Sequence, residues 1–239
     1  LASKVLPAKY AGYATMFAVS LFNAAVTALT CLLIFLFGQK LGYSTKVSIF
    51  LSLIYGLGTM AWPYAKEFFS EPLAGLFILF AVFSAYCHKI ERSNTWLFLS
   101  GLAIGMAMAT RLTAVILVPI LGLYILLNIL KEGEKQRLIG AALSFLFPIA
   151  IFFLFIGWYN LVRFGSFLES GYGIEGEGFT NPLFKGIYGL LLSPGKSLFL
   201  YNPILFLSFF GIASFFRNQK SEAILFLSII VSNILLYSK

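Results

Sequence analysis

Apolar stretches run through nearly the whole of this 239-residue chain, and its few charged residues fall in the gaps between them. Such a chain cannot fold around one core. With 60% hydrophobic and only 11% charged residues, it has too little polar surface to meet water on all sides. The expected fold class is an all-α integral membrane protein, a polytopic bundle of about eight transmembrane helices with one long extracytoplasmic loop.

At about 1.5 Å per residue, a helix must hold its apolar character for close to 20 residues to cross roughly 30 Å of hydrocarbon. Candidate spans begin near residues 13, 47, 70, 95, 113, 138, 198 and 222 and end near 37, 62, 87, 110, 130, 159, 216 and 238. The 95–110 stretch is short, so 95–130 could be one long helix or a hairpin folded at Arg111. Charge decides for the hairpin. If every stretch crosses, the loops 38–46, 88–94, 131–137 and 217–221 share a side and hold Lys40, Lys46, Lys89, Arg92, Lys131, Lys135, Arg137, Arg217 and Lys220. The other side, with outward loops 63–69, 110–112 and 160–197, is far poorer in basic residues. The positive-inside rule makes the basic set cytoplasmic, and a single 95–130 span would break the alternation. The whole of 1–239 is expected to be a single transmembrane domain.

The net charge of +8 is spread over interhelical loops, so topology accounts for it and no nucleic-acid partner is expected. Cys31 and Cys87 fall inside apolar helices and are expected to be packing residues. No charged-then-apolar leader precedes Leu1, so the chain is expected to be a piece of a longer one. There is no Asp, and the only histidine, His88, falls in a basic loop. That excludes a histidine triad or a His-rich zinc site on the outward face. Mid-span carboxylates of a proton-coupled carrier are missing as well.

The outward loops hold the groups that are expensive to keep near lipid. In TMAWPYAKEFFSEPLAG, Pro63 and Pro72 interrupt regular helix, and Lys66, Glu67 and Glu71 stand beside the interfacial aromatics Trp62 and Tyr64. An ordinary interfacial turn with snorkelling charges would look the same. The functional alternative makes Lys66 an anion contact and Glu67 or Glu71 a metal or hydroxyl contact. Arg111 stands alone in ATRLTAV, where its planar fork suits a pair of phosphate oxygens unless it merely snorkels. Gly101, Gly105 and Ala109, four apart, form a close-packing face. The long segment 160–197 supplies Glu169 and Tyr172, a carboxylate and an aromatic face suited to a sugar ring; Glu175 and Glu177 read as solvated. In SPGK, Ser193 is the expected helix cap with Pro194 first in the helix, which places Lys196 near free backbone donors. Asn202 and Pro203 are the alternative start, leaving 187–201 as an interfacial or re-entrant piece.

WPYAKEFFSEPL, ATRLTA, NLVRFGSFLESGYG and GLLLSPGKSLFLYNP, set among short hydrophobic helices, resemble the bacterial membrane glycosyltransferases of the dolichyl-phosphate-mannose protein mannosyltransferase type. These belong to the GT-C superfamily, with the family 39 enzymes and the aminoarabinose transferases. The resemblance implies an inverting glycosyltransferase that takes its sugar from a polyprenyl-phosphate donor on the extracytoplasmic face of the cell membrane. The acceptor would be a lipid, glycan or protein. Members of the superfamily keep an acidic catalytic base in their first outward loop, often helped by a divalent metal ion; here that loop is expected upstream of Leu1.

On this resemblance Lys66, Arg111 and Lys196 are expected to hold the lipid phosphate. Glu71 and Glu67 are the acids, with Glu71 the one to take a metal ion, and Glu169, Tyr172 and Tyr64 contact sugar or acceptor. The three outward segments are expected to meet across one watery cleft. A lipid-linked-oligosaccharide polymerase, ligase or flippase-like carrier is the alternative. Neither donor sugar nor acceptor is legible, since sugar choice rests on a few hydrogen bonds in a pocket.

Overall fold

The computed structural model describes residues 8–131, 133, 135–171, 181–195 and 197–239. Helices α1 (Ala8–Lys40), α2 (Thr45–Gly58), α3 (Ala61–Tyr64), α4 (Glu71–Glu91) and α5 (Asn94–Thr110) come first in chain order. They are followed by α6 (Leu117–Lys131), α7 (Leu138–Phe164), α8 (Leu183–Leu191), α9 (Leu198–Tyr201), α10 (Leu207–Asn218) and α11 (Lys220–Tyr237). Short 3-10 turns at Leu112–Ile116, Lys135–Arg137 and Pro203–Phe206 lead into α6, α7 and α10. Five segments are long and apolar enough to cross a bilayer: Ser20–Lys40, Glu71–Glu91, Leu112–Lys131, Lys135–Phe164 and Lys220–Tyr237. Thr45–Gly58, Asn94–Thr110 and Pro203–Asn218 are apolar but shorter. All eight coincide with the apolar stretches of the sequence. Their outer faces keep large side chains such as Phe50, Leu143, Phe147 and Phe210 exposed, as lipid-facing helices must.

The chain divides into two compact units, Leu1–Leu79 and Phe80–Lys239, and α4 carries the backbone from one to the other. In the first unit, α1 and α2 form a hairpin whose close approach depends on small residues. Gly38 lies against Ser48, where a Cβ would meet Oγ at 2.7 Å, and Gly56 lies against Cys31. The Ser52 hydroxyl donates to the Cys31 carbonyl at 2.7 Å, and Gln39 Nε2 donates to Ser48 Oγ at 3.1 Å. The hairpin turns at Ser44, whose side chain caps α2 by accepting from the Val47 amide.

The second unit is organised around α5, which is buried at Leu97, Ser100, Gly101, Ala103, Ile104, Gly105, Ala107 and Met108. Its partner on one side is the later part of α4: the Ser100 hydroxyl donates to the Ala81 carbonyl at 2.9 Å, and Trp96 meets Phe83 edge-on. Those pairs run in opposite directions along the chain, so α4 and α5 are antiparallel. Against α7 the order is reversed. Gly101 faces Phe145 and Pro148, and Gly105 faces Phe152, so the partners advance together and α5 and α7 run parallel. Two helices joined in parallel need a return crossing between them, and Leu112–Lys131 is that crossing. The hairpin at Arg111 is therefore present, and a single 95–130 helix is excluded. Ala109, expected on the same close-packing face, is exposed; at 3.6 residues per turn it has drifted about 80° round the helix from Gly101.

Both cysteines are free, Cys87 buried and Cys31 partly so. His88 belongs to the last turn of α4 and not to a loop. It is buried, and its Nδ1–H donates to the Ser93 carbonyl at 2.9 Å, because a carbonyl can only accept. Arg92 then adopts a left-handed backbone, φ 55°, with its amide on the His88 carbonyl. The turn from α4 to α5 is thereby closed in the manner of an αL helix cap.

Candidate functional site

In the first unit, the segment between α3 and α4 is held by one buried side chain. Asn23, wholly buried in the middle of α1, donates through Nδ2 to the carbonyls of Glu67 at 2.5 Å and Phe69 at 2.9 Å. A break in helix within a membrane protein leaves carbonyls that need a donor, and Asn23 supplies it twice. Its sequence signal is one Asn inside the largely apolar SLFNAAVTA. Around this anchor Tyr64 packs on Phe69 with ring centroids 5.4 Å apart. Lys66 Nζ lies 5.5 Å from the centre of the Trp62 ring, a cation–π contact. Lys66, Glu67 and Glu71 are all exposed. Glu71 opens α4, where the Ser70 carbonyl accepts the first helical bond from Ala74. Its carboxylate there complements the positive end of the helix dipole, and Pro72 sits in the first turn where no amide is required.

In the second unit, Arg111 ends α5 in an extended backbone, φ −145° and ψ 114°. Its amide still donates to Ala107, and its carbonyl accepts from Ala114 to start the following 3-10 turn. The guanidinium is half-buried and lies 5.9 Å from the Tyr237 ring centre. The Tyr237 hydroxyl is itself 3.0 Å from Thr113 Oγ1. The last turn of α11 thus braces the hairpin tip. The same end of α11 receives Asn181, whose amide groups donate to the carbonyls of Ser238 and Lys239, while Gly186 of α8 lies directly against the Ser238 backbone.

Glu169 follows from α7. Gly165 closes that helix at φ 76°, and the chain folds back so that Phe167 fills the notch at Gly157 and stacks edge-on with Phe153 at 5.7 Å. Asn160 Nδ2 donates to the Phe167 carbonyl at 3.4 Å. Because α7 runs parallel to α5, its end and the half-buried Glu169 lie at the same end of the unit as Arg111. Arg111, Glu169 and the start of α8 therefore share one end of the second unit, as the alternation of charge required.

Tyr172 and Lys196 lie outside the described residues, as do Glu175 and Glu177. The cap expected at Ser193 is not used as one. Ser193 and Pro194 sit in a turn, and the helix that follows is the four-residue α9, capped by Ser197, whose Oγ accepts from the Leu200 amide at 3.2 Å. Gly195 makes a poor helix residue, so the start moves to the next serine. The alternative start at Asn202 and Pro203 describes the chain: a 3-10 turn from Pro203 leads into α10. Before it, α8 stands as a short amphipathic helix with Phe184 and Tyr188 exposed, of the kind that lies in a membrane interface.

The opposite end of the second unit carries a cluster that sequence reasoning missed. Glu222, in the first turn of α11, is 2% exposed. One of its oxygens, Oε1, accepts from Lys89 Nζ of α4 at 2.6 Å and from the Tyr124 hydroxyl of α6 at 2.9 Å. α4 and α11 meet there at the ends that adjoin the basic segments 88–94 and 217–221, against the middle of α6.

Among the described residues no three His, Cys, Asp or Glu side chains converge. Residues 3–167 match the family model described as dolichyl-phosphate-mannose-protein mannosyltransferase. No curated protein and no solved structure matches the chain.

Proposed function

Because the chain belongs to the dolichyl-phosphate-mannose-protein mannosyltransferase family of membrane glycosyltransferases, we propose that it moves a sugar from a polyprenyl-phosphate donor to an acceptor at the extracytoplasmic face. The observation that carries this reading is the braced cation at the hairpin tip. Arg111 is held by backbone bonds on both sides and by the Tyr237 ring, at the end of its unit opposite the basic loops. A fixed, half-buried fork loses little entropy on meeting a phosphate.

The reaction is attack by an acceptor hydroxyl or amine on the anomeric carbon, with inversion and departure of polyprenyl phosphate. The bond that breaks leaves its electron pair on the phosphate oxygen. A cation already in place stabilises that growing charge more than it stabilises the bound donor, so it raises the rate and not merely the affinity. Lys196 is assigned to the same phosphate by sequence position. Glu169, half-buried beside the Phe167 fold-back, is assigned to sugar hydroxyls together with Tyr172. In the first unit Lys66 is assigned to donor phosphate, Glu67 and Glu71 to the acceptor's nucleophile, and Tyr64 to the sugar or acceptor. Each of these assignments is tested by its own substitution.

Mass spectrometry of lipid extracts tests the function as a whole. Deleting the full gene is expected to make one polyprenyl-phosphate-linked sugar accumulate; an unchanged pool of lipid-linked sugars would refute the assignment.

A further inference from the structure

Outside the candidate site, the described part of the second unit has a groove of ≈ 130 Å³ between α6 and α11. Its walls are the exposed apolar side chains of Leu123, Leu127 and Ile224, and its polar groups include Lys131 and Ser221, which lie at the end where the basic loops gather. Tyr124 also lines it and is fixed by its bond to Glu222. The groove belongs to two of the membrane-spanning segments.

Two observations identify an occupant. First, Leu123, Leu127 and Lys131 follow one another along α6, so an apolar wall ends at a cation and complements an acyl chain ending in a phosphate; Asn128 and Ser228 also line the groove. Second, the sequence that adjoins this end of α6 and α11 is basic. Lys131, Lys135, Arg137, Arg217 and Lys220 stand against Glu132 and Glu134 in the sequence, while Glu222 is already neutralised by Lys89. Among the described residues Lys131 has no ion-pair partner.

We propose that this groove binds one anionic phospholipid, with an acyl chain along Leu123, Leu127 and Ile224 and the phosphate at Lys131 and Ser221. The proposal is independent of the transferase reading. Basic pockets between membrane helices attract anionic headgroups, with each cation contributing about 1 kcal/mol near the surface, or about fivefold in affinity.

Native mass spectrometry of the full chain, purified in detergent and titrated with phosphatidylglycerol, phosphatidylcholine or inorganic phosphate, tests it. The expected result is one retained phosphatidylglycerol, bound about fivefold or more tightly than phosphatidylcholine and not displaced by inorganic phosphate. Lys131→Ala, at an exposed position that folding does not require, is expected to abolish the preference. Leu127→Trp is expected to fill the groove and remove the lipid altogether. Equal retention of the two lipids, a preference that survives Lys131→Ala, or displacement by phosphate would overturn the proposal. So would a disulfide dimer formed by Leu127→Cys, which would show a second copy seated there.

Discussion

Replacing Glu222 by Gln keeps the volume of the side chain and removes its charge, so the variant isolates the tie between α4, α6 and α11. The carboxylate is 2% exposed and accepts from Lys89 at 2.6 Å. Breaking a fully buried ion pair by removing one partner costs about 3–5 kcal/mol. Lys89 retains 30% of its side-chain exposure and can turn its ammonium partly toward water, which lowers the expected cost to about 2–3 kcal/mol. The Tyr124 hydroxyl can donate to the Gln carbonyl, so it adds little. For a chain of this length each kcal/mol shifts Tm by about 2–4 °C, giving a fall of roughly 5–10 °C. Thermal unfolding of the purified protein in detergent, followed by intrinsic fluorescence, measures it. A double variant, Lys89→Met with Glu222→Gln, removes both charges while the Gln carbonyl still accepts from Tyr124, and is expected to return to within about 1 kcal/mol of the parent. A Glu222→Gln protein as stable as the parent, or a double variant as unstable as the single one, would refute the reasoning.

Two other perturbations probe the frame around the candidate site. Gly101→Ala would push a Cβ into the Phe145 carbonyl and Pro148, at a cost of about 1–3 kcal/mol or more; Gly122→Ala, whose Cβ would meet only Phe145 Cε1 at 3.9 Å, is the neutral control in the same melting assay. Cysteines introduced at Gln136 and Leu168 are expected to react with a membrane-impermeant thiol reagent from opposite faces of sealed cells, Leu168→Cys from outside and Gln136→Cys only after lysis. Labelling of both from one face would contradict the topology.

Most of the fold was legible because a bilayer imposes one rule on every span. All eight apolar stretches became helices, and the hairpin at Arg111 followed from charge alternation although the 95–110 stretch looked too short. The helix start after Ser193 was misjudged for a local reason: Ser-Pro is a good beginning, but Gly195 follows it, and Ser197 stands three residues before the amide it caps. The Glu222 cluster was invisible for a different reason. Lys89, Tyr124 and Glu222 are far apart along the chain, and nothing in the sequence pairs them. Asn23 was visible as the one asparagine in α1, yet its purpose, to serve the Glu67 and Phe69 carbonyls, exists only in three dimensions. The placement of Arg111 and Glu169 at one end of the second unit was legible because charge alternation set which end of the helices they occupy.

The central claim is that a fixed guanidinium at the α5 hairpin tip takes the phosphate of a polyprenyl-linked donor. Transfer from such a donor by membranes containing equal amounts of the parent or Arg111→Ala protein tests it most directly. Loss of one preorganised donor to a developing oxyanion lowers the rate about 10²–10³-fold, so that is the expected fall, with Arg111→Lys intermediate and membrane insertion unchanged. Undiminished transfer by Arg111→Ala would contradict the account.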